Sequence, residues 1–119
     1  MKKGKISGIG IDIVDVARFK VLLTKNKRHQ LAKLFTSLEQ EYCLSYKDAA
    51  MHFAGTFAAK EAAYKARGDR SLVLESIEIR RAKSGAPQVW IKGYLVATLL
   101  VSISHTDDIA CAVVYNQGS

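Results

Sequence analysis

The sequence predicts an α+β domain in which an antiparallel sheet packs on one long central helix. Three observations carry this expectation. The segment from His52 to Arg67 is alanine-rich, free of proline and of β-branched runs, and reads as a long helix. Before it, Ile6 to Val14 alternates with a period of two, and after Gly68 that period returns. The later strand segments are joined by links of hairpin length, so the order is one strand, then helices, then a run of strands.

In the first strand, Ile9, Ile11 and Ile13 share one face, while Gly8, Gly10 and Asp12 share the other. Glycines inside a strand mark a close approach to the backbone. Asp12 is then either a strand-end aspartate at a turn, or a carboxylate with open space before it, suited to a metal or a phosphate-bearing ligand. From Asp15, a candidate N-cap, Val16, Phe19, Leu22 and Leu23 mark an apolar helical stripe. Arg18, Lys20, Lys25, Lys27, Arg28, His29 and Lys33 follow with no acidic residue between Val16 and Leu38. This is a solvated basic face or a docking surface for an acidic partner. Thr36 and Glu39 have capping-box spacing, and Leu38, Tyr42 and Tyr46 are the expected packing face of the helix they open. Asp48 is the expected cap of the central helix.

On that helix Phe53, Phe57 and Glu61 recur at i, i+4 and form one ridge. Taken locally, Glu61 is half of a surface pair with Lys65, worth about a few tenths of a kcal/mol. Lys60 sits beside it. Further on, Ile77 and Ile79 alternate with Glu78 and Arg80, and Gln88 to Ile91 is a partner strand across the turn Ser84-Gly85-Ala86-Pro87. Gly93 to Ala97 is expected to be a short connector with one helical turn. Leu99 to Ser104 and Ile109 to Tyr115 complete the strands, with Val101, Ile103 and His105 on one face.

A chain of 119 residues with 49% hydrophobic residues is expected to form one domain, spanning 1–119, with a real core. Its apolar runs are too short for a membrane span, and its basic N-terminus leads into no hydrophobic export segment. Cys43 and Cys111 are expected to be free thiols in a reducing cytosol. The net charge of +7 points to an acidic partner: nucleic acid, a phosphate-rich small molecule, a membrane surface or an acidic protein.

Three segments then line up in order: Gly8-Ile9-Gly10-Ile11-Asp12-Ile13-Val14, Phe57-Ala58-Ala59-Lys60-Glu61-Ala62 and Val101-Ser102-Ile103-Ser104-His105-Thr106. Together they resemble the holo-acyl-carrier-protein synthase family, the short 4′-phosphopantetheinyl transferases, from about Ile6 to Tyr115. The resemblance implies Mg2+-dependent transfer of phosphopantetheine from coenzyme A to a serine of apo acyl carrier protein, with release of 3′,5′-ADP. By position in the family motifs, Asp12 and Glu61 bind the ion, and Lys65 contacts the phosphates, with Lys60 adding positive potential. Coenzyme A lies against Gly68, Gly85, Pro87, Ser104 and His105, and Arg18, with Lys25 and Arg28, docks the acidic carrier. A metal-bound water, Glu61 and Asp107 are the candidates for the base. The resemblance further implies a cytoplasmic homotrimer serving fatty acid biosynthesis, with sites between subunits and neither nucleic acid nor a membrane as partner.

The sequence departs from the family pattern at Thr56, where many members have arginine, at Tyr64, at Ala86 in place of a lysine, and in the loop Arg67-Gly68-Asp69-Arg70. Arg67 and Arg70 are expected to restore the positive charge from new positions. Two readings stand against the full enzyme. One is a basic module that binds RNA or an acidic protein, although Tyr94 and Tyr115 are not clustered as a base-stacking sheet needs. The other is a degenerate transferase with altered use of coenzyme A.

Overall fold

The computed structural model describes residues 8–118. The beginning of the expected first strand, Ile6 and Ser7, lies outside the described residues. Strand β1 covers Gly8–Asp15 and runs into helix α1, Val16–Leu22. A 3-10 turn at Arg28–Gln30 leads to the short α2, Leu31–Leu34, then to α3, Ser37–Leu44, and to the long α4, Ala49–Arg67. The remaining strands are β2 Ile77–Arg81, β3 Pro87–Ile91, β4 Tyr94–Leu95, β5 Leu99–His105 and β6 Ile109–Asn116.

All pairings are antiparallel, as expected, but the strands divide into two three-stranded sheets, β1-β6-β5 and β2-β3-β4. The division has a local cause. Lys92 and Gly93 both take positive φ, folding the chain straight back so that Tyr94 pairs with Ile91 and Leu95 with Trp90. The expected helical turn at 93–97 is therefore a third strand of the second sheet.

Helix α4 lies over the first sheet. Its alanines at 54, 58, 59, 62, 63 and 66 are all buried, and their small side chains let strand backbones come close. Gly8 and Gly10 complete this approach from the other side. A Cβ at Gly8 would stand 2.6 Å from the Ala66 carbonyl oxygen, and one at Gly10 would collide with that of Ala62. The glycine face of β1 is thus filled by helix backbone and is not open space for a ligand. Gly55 plays the matching part under β5, where a Cβ would meet Ile103 at 2.9 Å.

Beside the sheet, Phe19, Phe35, Phe53 and Phe57 form a ring cluster, with centroids 4.9 Å apart for Phe35–Phe53 and 5.6 Å for Phe19–Phe57. Offset and edge contacts of this kind add to the burial of the rings. The cluster ties α1 and the end of α2 to the predicted ridge of α4. Val16, Phe19 and Leu22 are buried as expected, although the Asp15 side chain makes no cap hydrogen bond, and neither does Asp48.

Helix α3 differs from expectation. Its capping box is present: Glu39 N donates to Thr36 Oγ1, and Thr36 N donates to the Glu39 carboxylate. Its buried residues, however, are Glu39 and Cys43, while Leu38 and Tyr46 are exposed and Tyr42 half-buried. The reason is a second duty of Glu39. Its Oε1 accepts from Lys60 Nζ at 2.7 Å and its Oε2 from the Ile79 amide at 2.7 Å, which turns the charged side of α3 inward. Cys43 and Cys111 are both free thiols. Among the described residues no helix is long and apolar enough to cross a membrane.

Candidate active site

Because the two glycines seat β1 on α4, the next residue on the same strand face, Asp12, arrives against the helix one turn from Ala62. Lys65 reaches across this seam. Its Nζ donates to the Ile11 carbonyl at 3.0 Å and lies 3.1 Å from Asp12 Oδ1. The Asp12 side chain is largely covered, whereas Lys65 is half exposed. Glu61, one turn before Lys65, opens with Asp12 onto the same cavity of about 300 Å3. Asp15, Arg18 and Phe57 form its other walls. Glu61 has no ion pair with Lys65, because Lys65 is engaged by Asp12.

Arg18 stands in this wall rather than out on a free basic face. Its guanidinium lies 4.8 Å over the Phe57 ring and 5.3 Å from that of Phe19, a stacking geometry that holds a cation on an apolar surface. Arg28, expected beside it, instead lines a separate groove of about 670 Å3 with Lys20, Lys47 and Asp107. Lys25 is exposed in the turn after α1. Asp107, a candidate base, is therefore apart from the carboxylate pair within one chain.

Lys60 is the clearest correction. It is buried, bonded to Glu39 and to the Leu34 carbonyl at 3.0 Å, and points away from the Asp12–Glu61 cavity. Burial pushes the Glu39 carboxyl up, against the opposing pull of Lys60. The only sign of this in the sequence was a lysine on the alanine side of the helix wheel. Thr56 is buried too, 3.6 Å from the Cys43 sulfur, and its hydroxyl serves the α3–α4 contact.

The remaining site residues sit elsewhere on the molecule. Gly68 ends α4 in the left-handed conformation, with φ of 70°. Gly85 and Pro87 form the β2–β3 hairpin, where Pro87 pairs with Arg81. Ser104 and His105 end β5 and, as neighbours on a strand, face opposite sides of the sheet. His105 is on the α4 side, its ring 5.7 Å from that of His52. Since Glu61 follows His52 by about two and a half turns, the two residues stand on opposite flanks of α4. One chain therefore keeps the Asp12–Glu61–Lys65 group and the His105 group on different sides of its central helix. Sequence reasoning did not single out His52 or Arg81, which the fold brings to His105; their spacing gives no periodic signal.

Two carboxylates on an open cavity are a donor set that suits Mg2+, which keeps waters and substrate phosphate oxygens as its other ligands. Among the described residues no three His, Cys, Asp or Glu side chains converge, so this is not a closed metal cage.

The profile of the 4′-phosphopantetheinyl transferase superfamily matches residues 8–114, from the first glycine of β1 to near the end of β6. The chain belongs to this superfamily. Among its members, the holo-[acyl-carrier-protein] synthase of Thermodesulfovibrio yellowstonii is 39% identical over 110 residues, covering 92% of this chain and 96% of the relative. That of Syntrophotalea carbinolica is 36% identical over 125 residues, covering 96% and 98%. Two solved members share the α+β architecture. The Helicobacter pylori synthase in complex with coenzyme A superposes with a TM-score of 0.75 at 31% identity, covering 93% of this chain and 99% of that one. The Bacillus anthracis synthase, in complex with CoA (3′,5′-ADP), gives 0.76 at 30%, covering 94% and 96%.

Proposed function

We propose that this chain is a holo-[acyl-carrier-protein] synthase, acting as one domain over residues 1–119. It transfers 4′-phosphopantetheine from coenzyme A to a serine of apo acyl carrier protein and releases 3′,5′-ADP. The observation that carries this reading is the meeting of Asp12 and Glu61 at one open cavity, with Lys65 paired to Asp12, in a chain that superposes on synthases described with coenzyme A.

Asp12 and Glu61 would hold Mg2+, which would supply positive charge to offset that of the coenzyme A pyrophosphate during transfer. Lys65, anchored by the Ile11 carbonyl, keeps an ammonium beside the metal carboxylate and presents it to the same phosphates. The carrier serine Oγ bonds to phosphorus and gives its proton to water, while the bond to the bridging oxygen breaks and its electron pair leaves on 3′,5′-ADP. Arg18, braced on Phe57, places a fixed cation at the rim where the acidic carrier must bring its serine. Arg28, in the groove with Lys20 and Lys47, and exposed Lys25 extend the positive surface, which speeds encounter and is screened by salt. Arg67 and Arg70, exposed where α4 ends, add charge on the nucleotide side.

The active assembly is a homotrimer. Ile9, Ile11 and Ile13 are 69%, 59% and 67% exposed on the outer face of β1, and Val113, Tyr115 and Leu100 continue that apolar face across β6 and β5. A face this apolar calls for a covering partner. A second copy also resolves the split across α4, by setting the His105, Gly85 and Pro87 side of one subunit against the Asp12–Glu61–Lys65 side of the next. Free Cys43 and Cys111 suit a reducing cytoplasm, and the holo-carrier formed there serves fatty acid biosynthesis. Chromatography of a reaction containing coenzyme A, Mg2+ and apo carrier tests the reading: 3′,5′-ADP must appear only when the carrier is present.

A further inference from the structure

The ammonium of Lys65 is placed against what its own helix offers. Glu61 stands four residues earlier on α4, and Glu–Lys pairs at this spacing form readily on a helix surface. Lys65 Nζ instead crosses to β1, where it donates to the Ile11 carbonyl at 3.0 Å and to Asp12 Oδ1 at 3.1 Å. Among the described residues its ion-pair partner is Asp12, and Glu61 has none. The cation therefore sits on one of the two carboxylates of the cavity and leaves the other free.

The two contacts of Nζ differ in kind. The Ile11 carbonyl is fixed, neutral backbone of an edge strand. The Asp12 carboxylate is charged, largely covered, and opens with Glu61 onto the cavity. An ammonium has three donors, so a third remains after these two, and Lys65 is half exposed where it can use it. A divalent ion on Asp12 and Glu61 meets this arrangement as a competitor. It draws on the carboxylate that already serves Lys65, and the two cations repel each other across it. Phosphate oxygens reverse the balance. They give the ammonium other charged acceptors while the Ile11 carbonyl keeps it anchored, and Asp12 is released to the ion.

We infer that Lys65 is a positioning residue that makes the divalent ion and coenzyme A bind as a cooperative pair, because it competes with the ion for Asp12 until the pyrophosphate draws it off. This rests on the metal and transferase readings above. By linkage, each ligand raises the affinity of the other by the same factor. The protein alone holds the ion loosely, and the ion becomes firmly bound only together with the donor. Lys65 thus has a role in loading the site that is separate from its contact with the phosphates.

The test is a binding measurement without carrier protein, so that no transfer takes place. Mn2+ is the probe, since it takes the same oxygen ligands as Mg2+, and electron paramagnetic resonance counts the free ion. Lys65→Met keeps the apolar stem and removes the charge. It is expected to bind Mn2+ about three- to thirty-fold more tightly than wild type when no donor is present. Coenzyme A should then enhance ion binding less in the variant than in wild type, by a similar factor. Lys65→Arg keeps a cation at Asp12 and should retain both the weak binding and the strong enhancement. The gain in Lys65→Met should disappear when Asp12→Ala is added.

A merely structural role, in which Lys65 holds Asp12 in place, moves the affinity the other way. Weaker or unchanged Mn2+ binding by Lys65→Met, an undiminished enhancement by coenzyme A, or a gain that survives Asp12→Ala overturns the inference and leaves the metal reading in place. Failure of wild type to bind Mn2+ even with coenzyme A present overturns the metal reading instead. Absence of 3′,5′-ADP once apo carrier is added to wild type overturns the transferase reading itself.

Discussion

Lys65 and Asp12 join the central helix to the first strand, with Nζ 3.1 Å from Oδ1 and a second bond to the Ile11 carbonyl. A pair this exposed stabilises the fold by only about 0.2–1 kcal/mol, so its chief role is at the cavity it borders with Glu61. Asp12→Ala and Glu61→Ala are each expected to abolish Mg2+-dependent transfer while the melting temperature moves by only a few degrees. Mg2+ titration in the presence of coenzyme A checks the cause, because saturation should be lost together with turnover. Near wild-type activity in either variant refutes the metal assignment.

Lys60 and Glu39 contrast with that pair. Both are fully covered, and Glu39 also accepts from the Thr36 and Ile79 amides. Lys60→Met leaves a buried carboxylate without its cation and is expected to cost about 3–5 kcal/mol in urea unfolding. Had Lys60 faced the phosphates, the same variant would lose activity at unchanged stability.

Much of this arrangement was legible beforehand. The period of two placed Asp12 with Gly8 and Gly10, and the ridge of Phe53 and Phe57 brought Glu61 to the edge of the core. The meaning of the glycines was not legible, since bare backbone serves a ligand and a packed helix equally well in sequence. The direction of Lys60 and the inward face of α3 both depend on Glu39, whose capping role hid its contacts with Lys60 and Ile79 from more distant elements. The basic run reads as one surface, yet about half a turn of α1 separates Arg18, at the carboxylate cavity, from Lys20, in the other groove.

The exposed isoleucines make the assembly testable. Ile11→Lys places a charge in the middle of the apolar face of β1 and is expected to give monomers by light scattering, with activity lost although Asp12 and Glu61 are untouched. If sites are shared between subunits, mixing inactive Glu61→Ala with inactive His105→Ala under conditions of subunit exchange restores part of the activity. No recovery, with exchange verified, places each site within one chain.

The Cys43 thiol is pushed up to about 11, chiefly by burial, from an ordinary value near 9. The folded state therefore holds this proton more tightly than the unfolded chain. The stability this gives is complete below pH 9 and is lost as pH rises towards 11. Thermal melts across this window should fall less steeply in Cys43→Ala than in wild type. At pH 8 the thiol is expected to resist alkylation until the protein unfolds.

The most direct measurement is the intact mass of an apo acyl carrier protein incubated with this protein, coenzyme A and Mg2+. The account predicts that the carrier gains one phosphopantetheine, that chelating the ion prevents the gain, and that replacing the acceptor serine abolishes it. An unchanged carrier mass, with the protein folded and coenzyme A in excess, would contradict it.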